Sequence, residues 1–124
     1  MQSRHGSLES AILSVLWELE ANGECSNTVL DVCRILNEKH NEKRAYTTIK
    51  TVMDRLFEKK ILYRYKPAKK FFYRTVYSQK EMVMNSLTEV VNRFCGGNFA
   101  ILSEIINSEN NNEINSSKTL VGAI

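Results

Sequence analysis

Apolar residues in the first half of the chain recur at the three- and four-residue spacing of buried helical faces. The pattern predicts three amphipathic helices, whose apolar residues are Leu8, Ile12, Leu16 and Leu19, then Val29, Leu30, Val32, Cys33 and Leu36, then Ile49, Val52, Met53, Leu56 and Phe57. Ser7 and Ser26 are the predicted N-caps of the first two helices, and Gly23 is the predicted left-handed residue after the first. The third helix is predicted over 47–60.

The pattern changes to strand-like alternation after the third helix. Aromatic and β-branched residues alternate with Lys and Arg over 61–66 and again over 71–77, and the only proline, Pro67, lies between the two runs. Such runs around a turn predict a β-hairpin. A two-stranded hairpin is marginal alone, so we expect it to pack on the helices, with Phe71 and Phe72 as packing residues. Three helices followed by a hairpin make the order of a winged helix-turn-helix.

Helical spacing returns from Gln79. Val83, Leu87, Val90 and Phe94 define a fourth helix, Gly96-Gly97 break it, and the following apolar residues continue as a short fifth helix. This predicts a mainly α fold with a small β-hairpin: a winged-helix domain over 1–78, a helical segment over 79–107 and a polar, flexible tail over 108–124. Two short helices cannot bury both of their faces on each other. We therefore expect a homodimer, with an interface at Val83, Leu87, Val90, Phe94, Phe99, Leu102 and Ile106.

The basic residues of the chain are concentrated in one segment. Residues 31–78 hold thirteen of the seventeen Lys and Arg against five acidic residues, a formal charge of +8, whereas the whole chain carries +3. A localised basic surface on a small protein is typical of polyanion binding. A lysine-rich solvated face on an ordinary domain would give the same charge pattern.

The hairpin beside the third helix favours duplex DNA. Hydroxyl, Lys and Arg side chains on the first turns of a helix can reach base edges in the major groove, and a basic hairpin tip can follow the phosphate backbone. The residues expected to bind DNA are Tyr46, Thr47, Thr48, Lys50, Thr51, Arg55, Lys66, Lys69 and Lys70. Tyr65 and Tyr73 are further candidates for phosphate contacts.

Other chemistry finds little support in the residues. Cys25, Cys33 and Cys95 have no metal-knuckle or redox-pair spacing. We expect Cys33 in the core, whereas Cys25, in a predicted turn, and Cys95, at a helix end, are candidates for exposure. His5 and His40 are expected in solvent, without a ligand role. With no catalytic arrangement, phosphate loop, signal peptide or membrane-length apolar run, we expect a cytoplasmic protein that is not an enzyme and has no cofactor or metal.

Three stretches together resemble the penicillinase-repressor family. They are Glu9-Ser10-Ala11-Ile12-Leu13-Ser14-Val15-Leu16-Trp17, then Ala45-Tyr46-Thr47-Thr48-Ile49-Lys50-Thr51-Val52-Met53-Asp54-Arg55-Leu56 with Lys59-Lys60-Ile61-Leu62, then Phe94-Cys95-Gly96-Gly97. The resemblance covers about 8–106. It implies a homodimeric transcriptional repressor that binds a palindromic operator, often with TACA/TGTA half-sites, in an antibiotic-resistance or stress operon, and a sensor protease or another inducing factor as a partner.

The chain departs from the family's two regulatory branches. The tail after Ser108 has no cysteine, which argues against the metal sensing of the copper branch. The antibiotic branch is cleaved at an Asn-Phe bond where this chain reads Glu104-Ile105-Ile106. The alternative hypothesis is a protein-interaction adaptor whose basic face meets an acidic protein. A structured-RNA binder has less support, because no exposed sheet of stacking aromatics is predicted.

Overall fold

The structure is a computed structural model that describes the backbone of residues 4–39 and 43–116 and the side chains of residues 8–39 and 43–111. The chain divides into two compact units, Met1–Glu81 and Met82–Ile124. The elements are, in order, α1 (Arg4–Ala21), α2 (Val29–Lys39), α3 (Tyr46–Glu58), β1 (Leu62–Tyr65), β2 (Phe72–Thr75), α4 (Gln79–Phe94) and α5 (Phe99–Ser116). The predicted fold class, mainly α with a small β-hairpin in the winged helix-turn-helix order, is confirmed.

The three N-terminal helices bury the apolar faces that their spacing predicts. The buried side chains of this core are Ile12, Leu13, Val15, Leu16, Leu19, Val29, Val32, Cys33, Leu36, Ile49, Val52, Met53 and Leu56. Leu30 was predicted in the same core, but it is 51% exposed. Val29, Val32, Cys33 and Leu36 already fill the i, i+3, i+4, i+7 stripe of α2, and Leu30 lies about 100° away from Val29 around the helix.

The ends of the first two helices correct two predicted caps. Because α1 begins at Arg4, Ser7 lies inside the helix and is not its N-cap. The cap of α2 is Thr28 rather than Ser26: the Asp31 N–H donates to Thr28 Oγ1 at 3.1 Å, and the Thr28 N–H donates to Asp31 Oδ2 at 3.0 Å. This reciprocal pair satisfies two N–H groups that a lone Ser26 would leave open. Gly23 has φ +95°, which confirms its left-handed position after α1.

Within the first unit, hydrogen bonds to the second strand hold the hairpin against the helices. β1 and β2 pair antiparallel with Leu62 opposite Thr75 and Arg64 opposite Tyr73, which turns the Leu62 and Tyr73 side chains into the core. Asn27, just before α2, adds a bridge to the outer side of β2 by exchanging two backbone hydrogen bonds with Tyr73, at 2.8 and 3.2 Å. Glu20 accepts the Thr75 backbone N–H at 2.9 Å and the Thr75 hydroxyl at 2.6 Å.

The second unit contains most of α4 and the whole of α5. Gly96 and Gly97 take positive φ values of 60° and 81° between the helices, as the predicted Gly-Gly break requires. The flexible tail was predicted to start at residue 108, but α5 continues to Ser116. Once its apolar N-terminal half has formed, each added residue contributes a hydrogen bond without a new nucleation cost. The rest of the predicted tail, 117–124, lies outside the described residues.

The three cysteines differ in their burial. Cys33 is buried as predicted; of the two candidates for exposure, Cys25 is exposed and Cys95 is buried. Cys95 donates its backbone N–H to the Val91 carbonyl at 2.9 Å, so it belongs to the closing turn of α4 and its thiol is covered there.

The His5 side chain and all of His40 lie outside the described residues. No helix in the described part of the chain has the length and apolar character to cross a membrane.

Candidate nucleic-acid interface

One face of α3 carries polar side chains into solvent. Four of the five residues predicted to face inward are buried and Phe57 is half-buried, whereas the side chains of Tyr46, Thr47, Thr48, Thr51 and Arg55 are exposed. Lys50 is half-buried. The N-cap residue of α3, Ala45, supplies no side-chain hydrogen bond to the first turn. The first N–H groups of α3 therefore keep their capacity for an acceptor outside the helix, such as a phosphate.

A groove of about 310 Å³ joins this helix to the hairpin. Its lining consists of Thr28, Val29, Leu30, Tyr46, Lys50, Lys69, Lys70, Phe71 and Tyr73. The structure thus brings four of the predicted DNA-binding residues, two from α3 and two from the hairpin tip, to a single concave surface. Lys66 is exposed at the same hairpin, with its ammonium 5.1 Å from the Phe71 ring centroid.

The contacts of the hairpin aromatics sort the predicted packing residues from the predicted phosphate donors. The Arg64 guanidinium lies between two rings, 4.0 Å from the Phe57 centroid and 4.5 Å from the Phe71 centroid. Phe72 stacks on Tyr65 with centroids 5.9 Å apart. Phe71 and Phe72 are both half-buried, so they pack the hairpin as expected.

Two tyrosines proposed as phosphate donors are already engaged within the protein. Tyr73 is fully buried and donates its hydroxyl to Asp54 Oδ1 at 2.6 Å, so the prediction for Tyr73 is wrong. Its place opposite Arg64 in the hairpin register turns it toward the helices. Tyr65 is exposed, but its hydroxyl is hydrogen-bonded to Ser26 Oγ. Tyr46 is exposed at the start of α3 and lines the groove.

Asp54 is the residue that the sequence analysis missed as part of this site. Besides Tyr73, it binds the Arg64 guanidinium through Oδ1 at 3.1 Å and the Lys50 ammonium through Oδ2 at 2.7 Å. A single carboxylate thus links α3 to both strands of the hairpin. One signal was available: an acid four residues after Lys50 on a helix faces that lysine.

These contacts perturb two pKa values. Partial burial alone would raise the pKa of Asp54, but the hydrogen bonds from Lys50, Tyr73 and Arg64 outweigh it and hold the pKa below its usual 3.8. Burial of the phenol, and then its hydrogen bond to the Asp54 carboxylate, raise the pKa of Tyr73 well above 10.0. Asp54 is therefore a carboxylate, and Tyr73 a neutral donor, throughout the physiological pH range.

The second unit exposes the residues predicted for a dimer interface. Val83, Val90, Phe94, Phe99 and Ile106 are exposed in the single chain, Phe94 by 73%, while Leu87 and Leu102 are half-buried. Met84, Ile101 and Ile105 extend the exposed apolar surface. Val91, by contrast, is fully buried. A contiguous apolar patch larger than a few hundred Å² usually marks an interaction site in a soluble protein, so these exposed residues make the second unit the candidate interface.

Comparison with known proteins gives one informative result. No curated protein matches the chain. The family model of the penicillinase repressor matches residues 5–120, which is nearly the whole chain and includes the three stretches on which the resemblance rests. The matched region contains α3, the hairpin and both helices of the second unit. The chain belongs to the penicillinase repressor family, a family of transcriptional repressors.

Proposed function

We propose that this repressor acts as a homodimer that binds a palindromic duplex DNA operator and thereby lowers transcription of the adjacent operon. The observation that supports this most directly is the groove in which Tyr46 and Lys50 of α3 lie beside Lys69 and Lys70 of the hairpin. Within the described side chains, no group of three or more metal-ligating residues offers a competing metal-dependent role.

The proposal divides the work between the helix and the hairpin. Thr47, Thr48, Thr51 and Arg55 lie on the exposed face of α3, where hydroxyl and guanidinium groups can reach base edges and arginine can pair bidentately with guanine. Lys66, Lys69 and Lys70 at the hairpin, with the Tyr46 hydroxyl, contact phosphates and position the protein without reading sequence. Arg55 is the leading candidate for base recognition, because it is exposed and its guanidinium carries five donors.

Dimerisation follows in this proposal from the apolar surface of the second unit. A second copy is the simplest partner for such a surface, because twofold symmetry makes one patch complementary to itself. The dimer would present two α3 helices to half-sites about 34–36 Å apart, or a multiple of one helical turn. The operator should then be palindromic.

Family membership also supports a regulated operon of the antibiotic-resistance or stress type, with repression relieved by a sensor protease or another inducing factor. The segment where the antibiotic branch is cleaved corresponds here to Glu104-Ile105-Ile106, inside α5. Because this segment lacks the Asn-Phe bond at which the antibiotic branch is cleaved, we favour an inducing factor that does not cut the chain at this place. Because its target is DNA, we place the protein in the cytoplasm.

The test is selection of random duplex DNA on the purified full chain at about 0.15 M salt, followed by sequencing. Specific sites typically bind ~10³-fold or more tightly than non-specific DNA, so excess competitor DNA should not prevent enrichment. We expect a palindromic motif, and the Arg55→Ala variant should enrich it less. No enriched motif, with binding that disappears as salt rises, would contradict the repressor mechanism and favour the adaptor hypothesis.

A further inference from the structure

The two carboxylate oxygens of Asp54 accept hydrogen bonds from different partners. Oδ1 accepts the hydrogen bonds from the hairpin, one from Tyr73 and one from Arg64, whereas Oδ2 accepts only the Lys50 ammonium. The first oxygen joins α3 to the hairpin. The second holds the one lysine on the exposed side of α3 that also lines the groove.

We infer that Asp54 is a positioning residue that restrains Lys50 and thereby limits sequence-independent binding of DNA. The inference rests on the proposed function, because it concerns the selectivity of the same surface. Asp54 would influence selectivity without contacting a base itself. Its negative charge would be unfavourable on a surface whose only role was tight binding of DNA.

The argument starts from the geometry of the Lys50–Asp54 pair. At 2.7 Å the pair is a charge-assisted hydrogen bond, and its partners are 44% and 28% exposed. A phosphate that approaches the groove must compete with a carboxylate that Arg64 and Tyr73 already hold in place. Lys50 therefore contributes less counterion release than a free lysine would, although it still lines the groove.

Asp54→Asn separates the two tasks. The asparagine carbonyl can replace Oδ1 and still accept from Tyr73 and Arg64, but its amide group cannot accept from the Lys50 ammonium. The matched control is Glu58→Gln, which removes the same charge from the exposed last residue of the same helix. Thermal unfolding of each variant establishes that the fold is intact before DNA is added.

The experiment measures affinity for the selected operator and for a scrambled duplex of equal length, from 50 mM to 0.2 M salt. We expect D54N to bind the scrambled duplex more tightly than wild type at 50 mM. One released lysine per protomer is two per bound dimer, so this fourfold rise in salt should cost D54N roughly 12-fold more affinity than it costs wild type, since each neutralised phosphate adds about 0.9 to the salt slope. The ratio of operator to scrambled affinity should fall, and K50A should abolish the effect of D54N.

A D54N protein with the salt slope and selectivity of wild type, or of E58Q, would overturn the inference. A readout without DNA separates it from the proposed function: limited acylation with mass spectrometry should modify Lys50 faster in D54N than in wild type, with Lys69 unchanged. Failure of wild type to bind any duplex would refute the proposed function and the selectivity role together. Equal rates of Lys50 acylation in wild type and D54N would refute the claim that Asp54 restrains Lys50, whatever the DNA-binding measurements show.

Discussion

Tyr73→Phe should destabilise the protein by removing one buried hydroxyl and nothing else. The phenol ring is fully buried and its hydroxyl donates to the Asp54 carboxylate at 2.6 Å. A hydrogen bond to a charged group contributes about 1.5–3 kcal/mol to stability. Phenylalanine keeps the ring packing, so the free energy of unfolding should fall by about 2 kcal/mol. For a folding unit of 60–100 residues this lowers Tm by about 8–16 °C.

Urea denaturation followed by circular dichroism at pH 7 measures this loss. The control is Tyr63→Phe, because Tyr63 lies in the neighbouring strand with its side chain 49% exposed, and surface changes usually stay within about 0.5 kcal/mol. Equal stability of the two variants would refute the assignment of the Tyr73–Asp54 bond as a stabilising contact.

The same pair makes a pH prediction with a definite sign. The pKa of Tyr73 is raised in the folded state above its ordinary 10.0, so the folded protein keeps the phenol proton where the unfolded chain loses it. The stabilisation that this difference in pKa gives the folded state is fully present below pH 10. It declines as pH rises toward the pKa of Tyr73 in the folded protein, by up to about 1.4 kcal/mol per pH unit. The stability difference between wild type and Y73F should therefore shrink between pH 10 and 11. A constant difference over that range would contradict the pKa direction.

Three further predictions concern the proposed interfaces. Arg55→Ala should cost about 1–3 kcal/mol of discrimination at one operator position, measured by fluorescence anisotropy with single-base operator variants; equal losses on every sequence would assign Arg55 to the backbone instead. Lys69→Ala with Lys70→Ala should weaken all DNA alike and reduce the salt slope by about 0.9 per lysine, whereas Lys59→Ala, whose ammonium pairs with an acid of α1, should leave the slope nearly unchanged. Val90→Glu should give a folded monomer by light scattering at micromolar concentration, and a dimer of wild-type affinity would remove Val90 from the interface.

The parts of the fold that were predictable from sequence are those set by local periodicity. In α3, the inward residues Ile49, Val52, Met53 and Leu56 follow the helical repeat, so the outward face is determined as soon as the helix is recognised. The hairpin was predictable for a similar reason, since alternation on both sides of Pro67 leaves few other structures. These two elements bring four of the nine predicted DNA-binding residues to one groove.

The parts that were not predictable depend on docking between elements distant in sequence. The run of three aromatic residues, Phe71-Phe72-Tyr73, at the start of the predicted second strand gives no indication of which ring faces the helices. The register with β1 decides it, by placing Tyr73 opposite Arg64 and turning it inward. Asp54 acquires its role only through that docking, because its partners Arg64 and Tyr73 lie 10 and 19 residues further along the chain.

The cap of α2 is a different case, since its signal was present in the sequence. Thr28 followed three residues later by Asp31 fits the reciprocal capping pattern, whereas Ser26 has Val29 at that position. Ser26 is the first small polar residue after the turn, but only Thr28 has an acid three positions on with which to exchange hydrogen bonds.

The structure shows that the lysines and arginines of the basic segment have different surroundings. Some of these cations serve the fold: Lys39 pairs with Glu18 and Lys59 with Glu9, each joining the end of one helix to α1. Exposed pairs of this kind contribute little stability, about 0–1 kcal/mol, but they reduce the charge available to a polyanion. The hairpin lysines Lys69 and Lys70, by contrast, line the groove beside α3. The formal +8 of the segment therefore overstates the charge that DNA would meet, and position, more than number, distinguishes a binding surface from a solvated one.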